Sequence, residues 1–341
     1  MSSDTVQPST SDAEAGRTGT GVDDVGGHAD AALEAHDGSG LTVKARSQRQ
    51  MVVRRFLRHR LAMTSLAVLI AMILLAYVGL WFWDLPYDQS GTVVNRGVST
   101  IDLIPWIDGD GFALGQHPFG QDNIGRDYFA VTLKGAQGSI TVAVLAGLIA
   151  TTVGAIVGAL SGFYRGWVDT VLMRVVDVLF TIPLLLLAAV IGRRYETDDN
   201  IFLGALIIAS LAWLTTARVI RAEFLSIREK EFVEAARALG ASNRRIIFKH
   251  MLPNVIGSVI VSATLLISAA ILVEAALAFL GFGVTEFSLG QQVQTYRTAF
   301  ASRPWLFWWP GVFIIIIALT INFIGDGLRD AFDPKQTRVR Q

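Results

Sequence analysis

The chain has 341 residues, of which 52% are apolar, and these gather in long uncharged runs that exclude an ordinary soluble enzyme and point to a multi-span membrane protein. Lys and Arg balance Asp and Glu at 29 each, a net charge of zero that says little because the charges are so unevenly placed. With no cysteine there is no disulfide, thiolate metal site or cysteine nucleophile; the five histidines (28, 36, 59, 117 and 250) fall at no ligand spacing, and no GxxxxGK(S/T) segment occurs, so any ATP must be bound by another chain.

Residues 1 to 46 are mostly Ser, Thr, Gly, Asp and Ala, and bury too little apolar surface to offset their ordering entropy, so they are expected to form a disordered cytoplasmic tail. They lack the basic start, apolar stretch and cleavage pattern of a signal peptide. Residues 47 to 60, SQRQMVVRRFLRHR, mix arginines with Met51, Val52, Val53, Phe56 and Leu57, which suits a helix lying in the anionic inner interface of a bilayer. Residues 61 to 83 then run without a charge, long enough at about 1.5 Å per residue for a core of about 30 Å. Trp81 and Trp83 end that first span as interfacial aromatics do.

Residues 84 to 138 are polar and rich in Gly, Pro and Asp, and form an extracytoplasmic loop that closes on His117-Pro118-Phe119-Gly120-Gln121-Asp122-Asn123-Ile124-Gly125-Arg126-Asp127. Glycines and an arginine flanked by carboxylates are turn chemistry, and a contact with a partner explains them equally well. Five more spans are expected between residues 139 and 325. The second, Ser139 to Phe163, carries Gly154, Gly158 and Gly162 on one face for close helix packing. The third, Val168 to Ile191, places Arg174 and Asp177 three apart, where they can pair, and Pro183 should kink it. Ile201 to Ile220 is the fourth, Val255 to about Phe282 the fifth, and Trp308 to Ile324 the last, with residues 326 to 341 as a tail.

The only long polar segment between spans of the second half is residues 221 to 254. Good helix formers run from Arg221 to Leu239, and Gly240 follows where a left-handed cap is needed. Ser242 and Asn243 can cap a second short helix with Lys249 and His250 in its last turn, and Pro253 should stop it. The expected shape is an L: helix, glycine hinge, helix, proline.

Four of these segments carry a resemblance. Glu234-Ala235-Ala236, Gly240 and His250-Met251-Leu252-Pro253 resemble the EAA loop of ABC importer permeases, with His250 where the family usually has isoleucine. The 117–127 segment is similar to the HPxGTDxxGRD of oligopeptide and dipeptide permeases, with Gln121 in place of threonine. Trp167 to Pro183, WVDTVLMRVVDVLFTIP, and Gly325 to Pro334, GDGLRDAFDP, are similar to the same permeases. The stretch Thr285-Glu286-Phe287-Ser288-Leu289-Gly290 departs from their usual prolines and Ser-Trp-Gly.

The resemblance covers about Arg49 to Asp333 and identifies the chain as a C-type permease subunit of the oligopeptide, dipeptide and nickel permease family. It implies an all-α, polytopic type I importer fold of six transmembrane helices. It also implies a second, related permease, two ABC ATPase subunits and an extracytoplasmic peptide-binding protein, with Glu234, Ala235, Ala236, Gly240, Leu252 and Pro253 forming the surface that meets the ATPase. No nucleic acid, metal, cofactor or catalytic residue is expected. Nickel or another small solute is the alternative cargo, and an ion-coupled secondary transporter the alternative class.

Six spans put both termini and the 221–254 loop on one side. Seven of the 29 Lys and Arg (96, 126, 134, 193, 194, 297 and 303) fall on the other, so the side with the termini is expected to be cytoplasmic. Within the spans one carboxylate stands out. Glu274 lies 19 residues beyond Val255, roughly 28 Å at 1.5 Å per residue, near the outer boundary. Two roles are open: a hydrogen bond to a neighbouring helix, with Asn322 as a candidate partner, or the lining of the outer mouth of a pathway.

Overall fold

The computed structural model of the chain describes residues 48–93, 97–98, 115–194, 200–283 and 287–332, and the tail expected over residues 1–46 lies outside them. The first described element, α1 (Gln48–Arg58), leaves Met51, Val53 and Leu57 exposed beside Arg54 and Arg58. His59 ends it and starts α2 (Arg60–Tyr77), its Nδ1 accepting from the Ala62 amide at 3.1 Å in the N-cap role. A single turn, α3 (Gly79–Phe82), follows.

α4 (Tyr128–Tyr164) starts eleven residues before the expected second span, so residues 128–138 of the expected loop are helical. Lys134 and Gln137 interrupt the apolar run in the sequence, but they sit on the less buried side of a helix whose Tyr128, Val131, Leu133 and Ala136 are core residues. Asp127 fixes the start, its carboxylate accepting from the Ala130 amide at 2.9 Å.

The third span is broken. α5 (Gly166–Phe180) and α6 (Leu184–Arg194) meet at a bend of 76°, across Thr181, Ile182 and Pro183. Pro183 has no amide hydrogen to continue the ladder, which is the expected kink in a stronger form. Asp177 is not paired with Arg174 as its spacing allows; it accepts from Arg218 of the next helix at 2.8 Å.

α7 (Ile201–Arg228) runs past the expected end of the fourth span. The helix expected from Arg221 to Leu239 is interrupted at Glu229 and Lys230, and α8 (Glu231–Ala238) starts anew. Propensity yields there to packing, because only the bend lets Val233 and Ala236 face the core. Beyond Gly240 come the short α9 (Asn243–Arg245), a π turn (Ile246–Met251) and α10 (Leu252–Phe279).

Pro253 therefore does not stop a helix; it sits at the second position of one. In α-geometry its ring would strike the carbonyl four residues back, and the wider π turn, in which the Leu252 amide reaches Ile247 O, takes up that conflict.

α11 (Leu289–Thr295), a 3₁₀ turn (Arg297–Ala301) and α12 (Trp305–Phe332) complete the described chain. The helical part of α12 continues through residues 326–332, which the sequence suggested as the start of a tail. The glycines there are points of contact rather than stops: a Cβ on Gly327 would lie 2.3 Å from Ala62 Cβ of α2. Five helices (α9 with α10 counted as one) are long and apolar enough to span a bilayer, and the bent α5–α6 pair makes a sixth. No strand forms among the described residues; one isolated bridge joins Gln121 and Asp127.

The most extensive contact of the bundle is α4 against α7. A Cβ on Gly154, Gly158 or Gly162 would lie 2.7, 2.5 or 2.8 Å from the carbonyl oxygens of Trp213, Ala217 and Arg221 respectively. Gly158→Val is accordingly expected to cost about 1–3 kcal/mol by overpacking, lowering the thermal unfolding temperature of the purified protein. Gly311→Ala, where a Cβ meets nothing within 4 Å, should be tolerated. Equal behaviour of the two variants would show that the α4–α7 contact is loose.

Candidate functional site

Three groups of residues stand out, beginning with the element built by α8, α9 and the π turn. Val233 and Ala236 bury one face of α8 in a cluster with Phe163, Ile220, Phe224, Ile246, Ile247, Met251 and Val255. The opposite face, with Glu234 and Ala235, is exposed. Gly240 has φ +77°, and its amide reaches Arg237 O while that of Ala241 reaches Ala236 O, both at 3.0 Å. These are the paired bonds of a Schellman motif, in which an L side chain at Gly240 would be strained. Ser242 Oγ then accepts from the Arg245 amide at 3.4 Å, and Asn254 Nδ2 donates to His250 O at 2.6 Å.

Of the six residues expected to meet a partner here, Glu234, Ala235, Gly240 and Pro253 are exposed, Leu252 is half-buried and Ala236 is buried. Ala236 thus serves as packing beneath the surface, and Glu234 and Ala235 are its outward part. Two apolar residues missing from that set join them: Leu239 is 88% exposed and Phe248 66%. The signal for Phe248 lies in the spacing of Ile246, Ile247 and Met251, which leaves the phenylalanine on the outer side of the turn.

The element is tied to the bundle by charge. Arg221 of α7 grips Asp169 of α5 with two hydrogen bonds of 2.6 and 2.7 Å, and Ser161 of α4 donates to the same carboxylate. Arg165, with φ +54° the one non-glycine among the described residues in the left-handed region, pairs with Glu229 at the α7–α8 bend. Helices α4, α5 and α7 are thereby fastened together where α8 begins.

Glu274 of α10 is the second group. It is 4% exposed, its Oε2 accepts from Ser139 Oγ at 2.9 Å, and Ser288 gives a further side-chain hydrogen bond. Ser139 Oγ in turn accepts from the Leu289 amide at 3.1 Å. The partners are serines of α4 and of the turn before α11, not Asn322. The carboxyl group fastens α11 into the groove between α4 and α10, where Gly135, Gly138 and Gly290 leave room for it.

The third group is the 117–127 segment. Asp122, fully buried, accepts from the amides of Ile124 and Arg126 at 3.0 and 2.8 Å, from Arg126 Nε at 2.6 Å and from Tyr296 Oη at 3.3 Å. Burial opposes the charge of Arg126, but Asp122 outweighs it and holds the guanidinium above its ordinary pKa. Burial first, and then the Asp122 charge, push the Tyr296 phenol up to about 12, so it stays a donor. Asp127 accepts from Trp83 Nε1 at 2.9 Å and lies 2.9 Å from His117 Nδ1. Gln121, at the position of the family's threonine, donates to Thr92 O and Gly125 O. The segment is a buried knot, with Asn123 and Ile124 exposed at its tip.

Glu274→Gln keeps an acceptor for Ser139, whereas Glu274→Leu leaves buried hydroxyls unpaired at a cost of about 1–3 kcal/mol. The glutamine variant is expected to match the parent in thermal stability, and the leucine variant to unfold at lower temperature. Equal loss of stability in the two variants would instead show that the charge itself, not the hydrogen bonds, holds α11 in place.

Residues 150–338 match the model of the binding-protein-dependent transport system inner membrane component, and residues 47–99 that of the N-terminal TM domain of oligopeptide transport permease C. The chain is 37% identical over 297 residues to the oligopeptide transport system permease protein OppC of Mycobacterium tuberculosis (strain ATCC 25618 / H37Rv), covering 86% of this chain and 97% of that protein. It is 36% identical to OppC of Haemophilus influenzae, covering 86% and 91%, and 40% identical to a putative peptide permease protein of Brucella ovis, covering 82% and 89%. Among solved structures it is similar in fold to an inward-facing MetNI methionine ABC transporter chain, with a TM-score of 0.51 at 20% identity, over 60% of this chain and 96% of that one.

Proposed function

This chain belongs to the ABC importer permeases, in their oligopeptide and dipeptide branch, and from that membership we propose that it forms half of the path of a peptide importer and couples to an ATPase through Glu231–Met251. The observation that carries the coupling reading is the division of α8 into a face anchored on α7 and the π turn and a face left open. Val233 and Ala236 tie the element to the spans, and Glu234, Ala235, Leu239 and Phe248 offer a carboxylate, a small residue and two apolar side chains to a partner. A rigid element anchored on one side and open on the other passes a push from the partner to the helices.

In this reading the termini and α8 face the cytoplasm, where 22 of the 29 basic residues then lie. Two ATPase subunits bind below, a second related permease completes the path, and an extracytoplasmic binding protein delivers the peptide above. The chain performs no bond chemistry, and closure of the ATPases swings its helices between inward and outward access.

Glu234→Lys reverses the open charge, and Gly240→Val strains the Schellman turn by about 1 kcal/mol or more. Both variants are expected to insert normally yet lose uptake of labelled peptides and substrate-stimulated ATPase activity in a strain lacking the native gene. Normal uptake by both would remove the coupling role from this element.

A further inference from the structure

We propose that the break in the third span and the apolar cleft beside it are a wall of the translocation path, and that the cleft takes an apolar side chain of a peptide in transit. The inference rests on the reading of the chain as a peptide permease. The helical ladder breaks at Ile182 and Pro183, and Thr181, Ile182 and Pro183 are all exposed. They follow the fifteen residues of α5, roughly 22 Å of rise, and so lie within the thickness of a bilayer. Non-helical backbone at that depth is tolerated only where protein covers it or where it lines a water-filled cavity. None of the described residues covers it, so this face does not turn to lipid.

A cleft of 430 Å³ opens at the break, between Phe180 and Pro183, Ala146 of α4, Leu211 and Ala212 of α7, and Ala269 of α10. Its volume falls within the range of small-ligand pockets, about 300–1,000 Å³. The walls are apolar, and the polar lining is Thr215. At its edge Arg218 lies over the Phe180 ring, 4.3 Å from the centroid, and pairs with Asp177 at 2.8 Å, both side chains about half exposed. Thr170, Arg174 and Asp177 fall on one exposed side of α5, whereas Val171, Val175 and Val178 fall on another.

An acyl chain has no use for this charged edge. A helix of a second subunit, about 10–12 Å across with its side chains, is too wide for the cleft. A peptide matches both parts, with an apolar side chain for the walls and a polar main chain for the edge.

Because the chain lacks cysteine, Ala212→Cys and Ala269→Cys report on the cleft in the assembled transporter, permeases and ATPases together, in proteoliposomes. Both are expected to react with a water-soluble methanethiosulfonate, unlike Val171→Cys on the apolar side of α5, and a Phe-containing peptide should slow the reaction where a Gly-only peptide of the same length does not. Ala269→Trp, which fills the cleft, is expected to reduce uptake of Phe- and Leu-containing peptides about tenfold relative to Gly- and Ala-only peptides.

Labelling by a lipid-soluble maleimide alone would make the cleft a lipid site and overturn the proposal. So would protection by the second permease whatever the peptide, or equal loss of all peptides in Ala269→Trp. If the unaltered transporter takes up no peptide, the peptide assignment falls by itself, whereas a cleft closed to water overturns the path wall whatever cargo is carried.

Discussion

The arrangement of this protein depends on how closely α4 and α7 approach. Inside a bilayer, lipid tails are as apolar as leucine, so helices gain little from hiding apolar surface against one another and depend on close contact and polar ties. Three glycines on one face of α4 bring it to within a methyl group of the α7 backbone, and Asp169 and Arg221 clamp the same pair at the end where α8 begins. α8 and the turn beyond it are seated on that pair. α8 has only eight residues, too few to hold a helix alone in water, and it persists because Val233 and Ala236 reach the cluster around Phe224 and Met251.

The two ends of the bundle are fastened by different chemistry. At the end bearing α8 the ties are ion pairs with exposed partners, such as Arg218 with Asp177 and Arg165 with Glu229, whose strength depends on solvent access. At the other end they are buried hydrogen bonds: Asp122 with four donors, Asp127 with a tryptophan, a histidine and a helix start, and Glu274 with two serines. Buried networks of this kind rigidify, because losing one member strands the others.

Much of this was legible in the residues. Apolar run length located the spans, and the Gly240 cap and the Pro183 break followed from backbone chemistry. The boundaries were less legible for a common reason. Lys134, Gln137, Gly325 and Gly327 read as loop in sequence, but a helix hides a polar residue by turning it aside and uses a glycine to touch its neighbour, and neither act leaves a mark in local composition. The partner of Asp177 was missed because its own helix offers Arg174 at the right spacing while α7 supplies Arg218 from 41 residues away. In the candidate site the outward residues of α8 were readable from their motif, whereas the burial of Ala236 and the exposure of Phe248 depend on which way the π turn rotates its side chains.

That turn also fixes a phase. A π turn holds one residue more than the α turn it replaces, and each residue in a helix is worth about 100° of rotation. The single additional residue between Ile246 and Met251 therefore sets the angle between the side of α10 that meets the bundle and the direction in which α8 and Gly240 face. Removing it would leave every other side chain of the element intact but turn the whole of it about a quarter of a revolution relative to the spans. Composition in this segment is thus subordinate to count: a chain with one residue fewer in the turn, and α8 otherwise unchanged, would present its open surface to a different place.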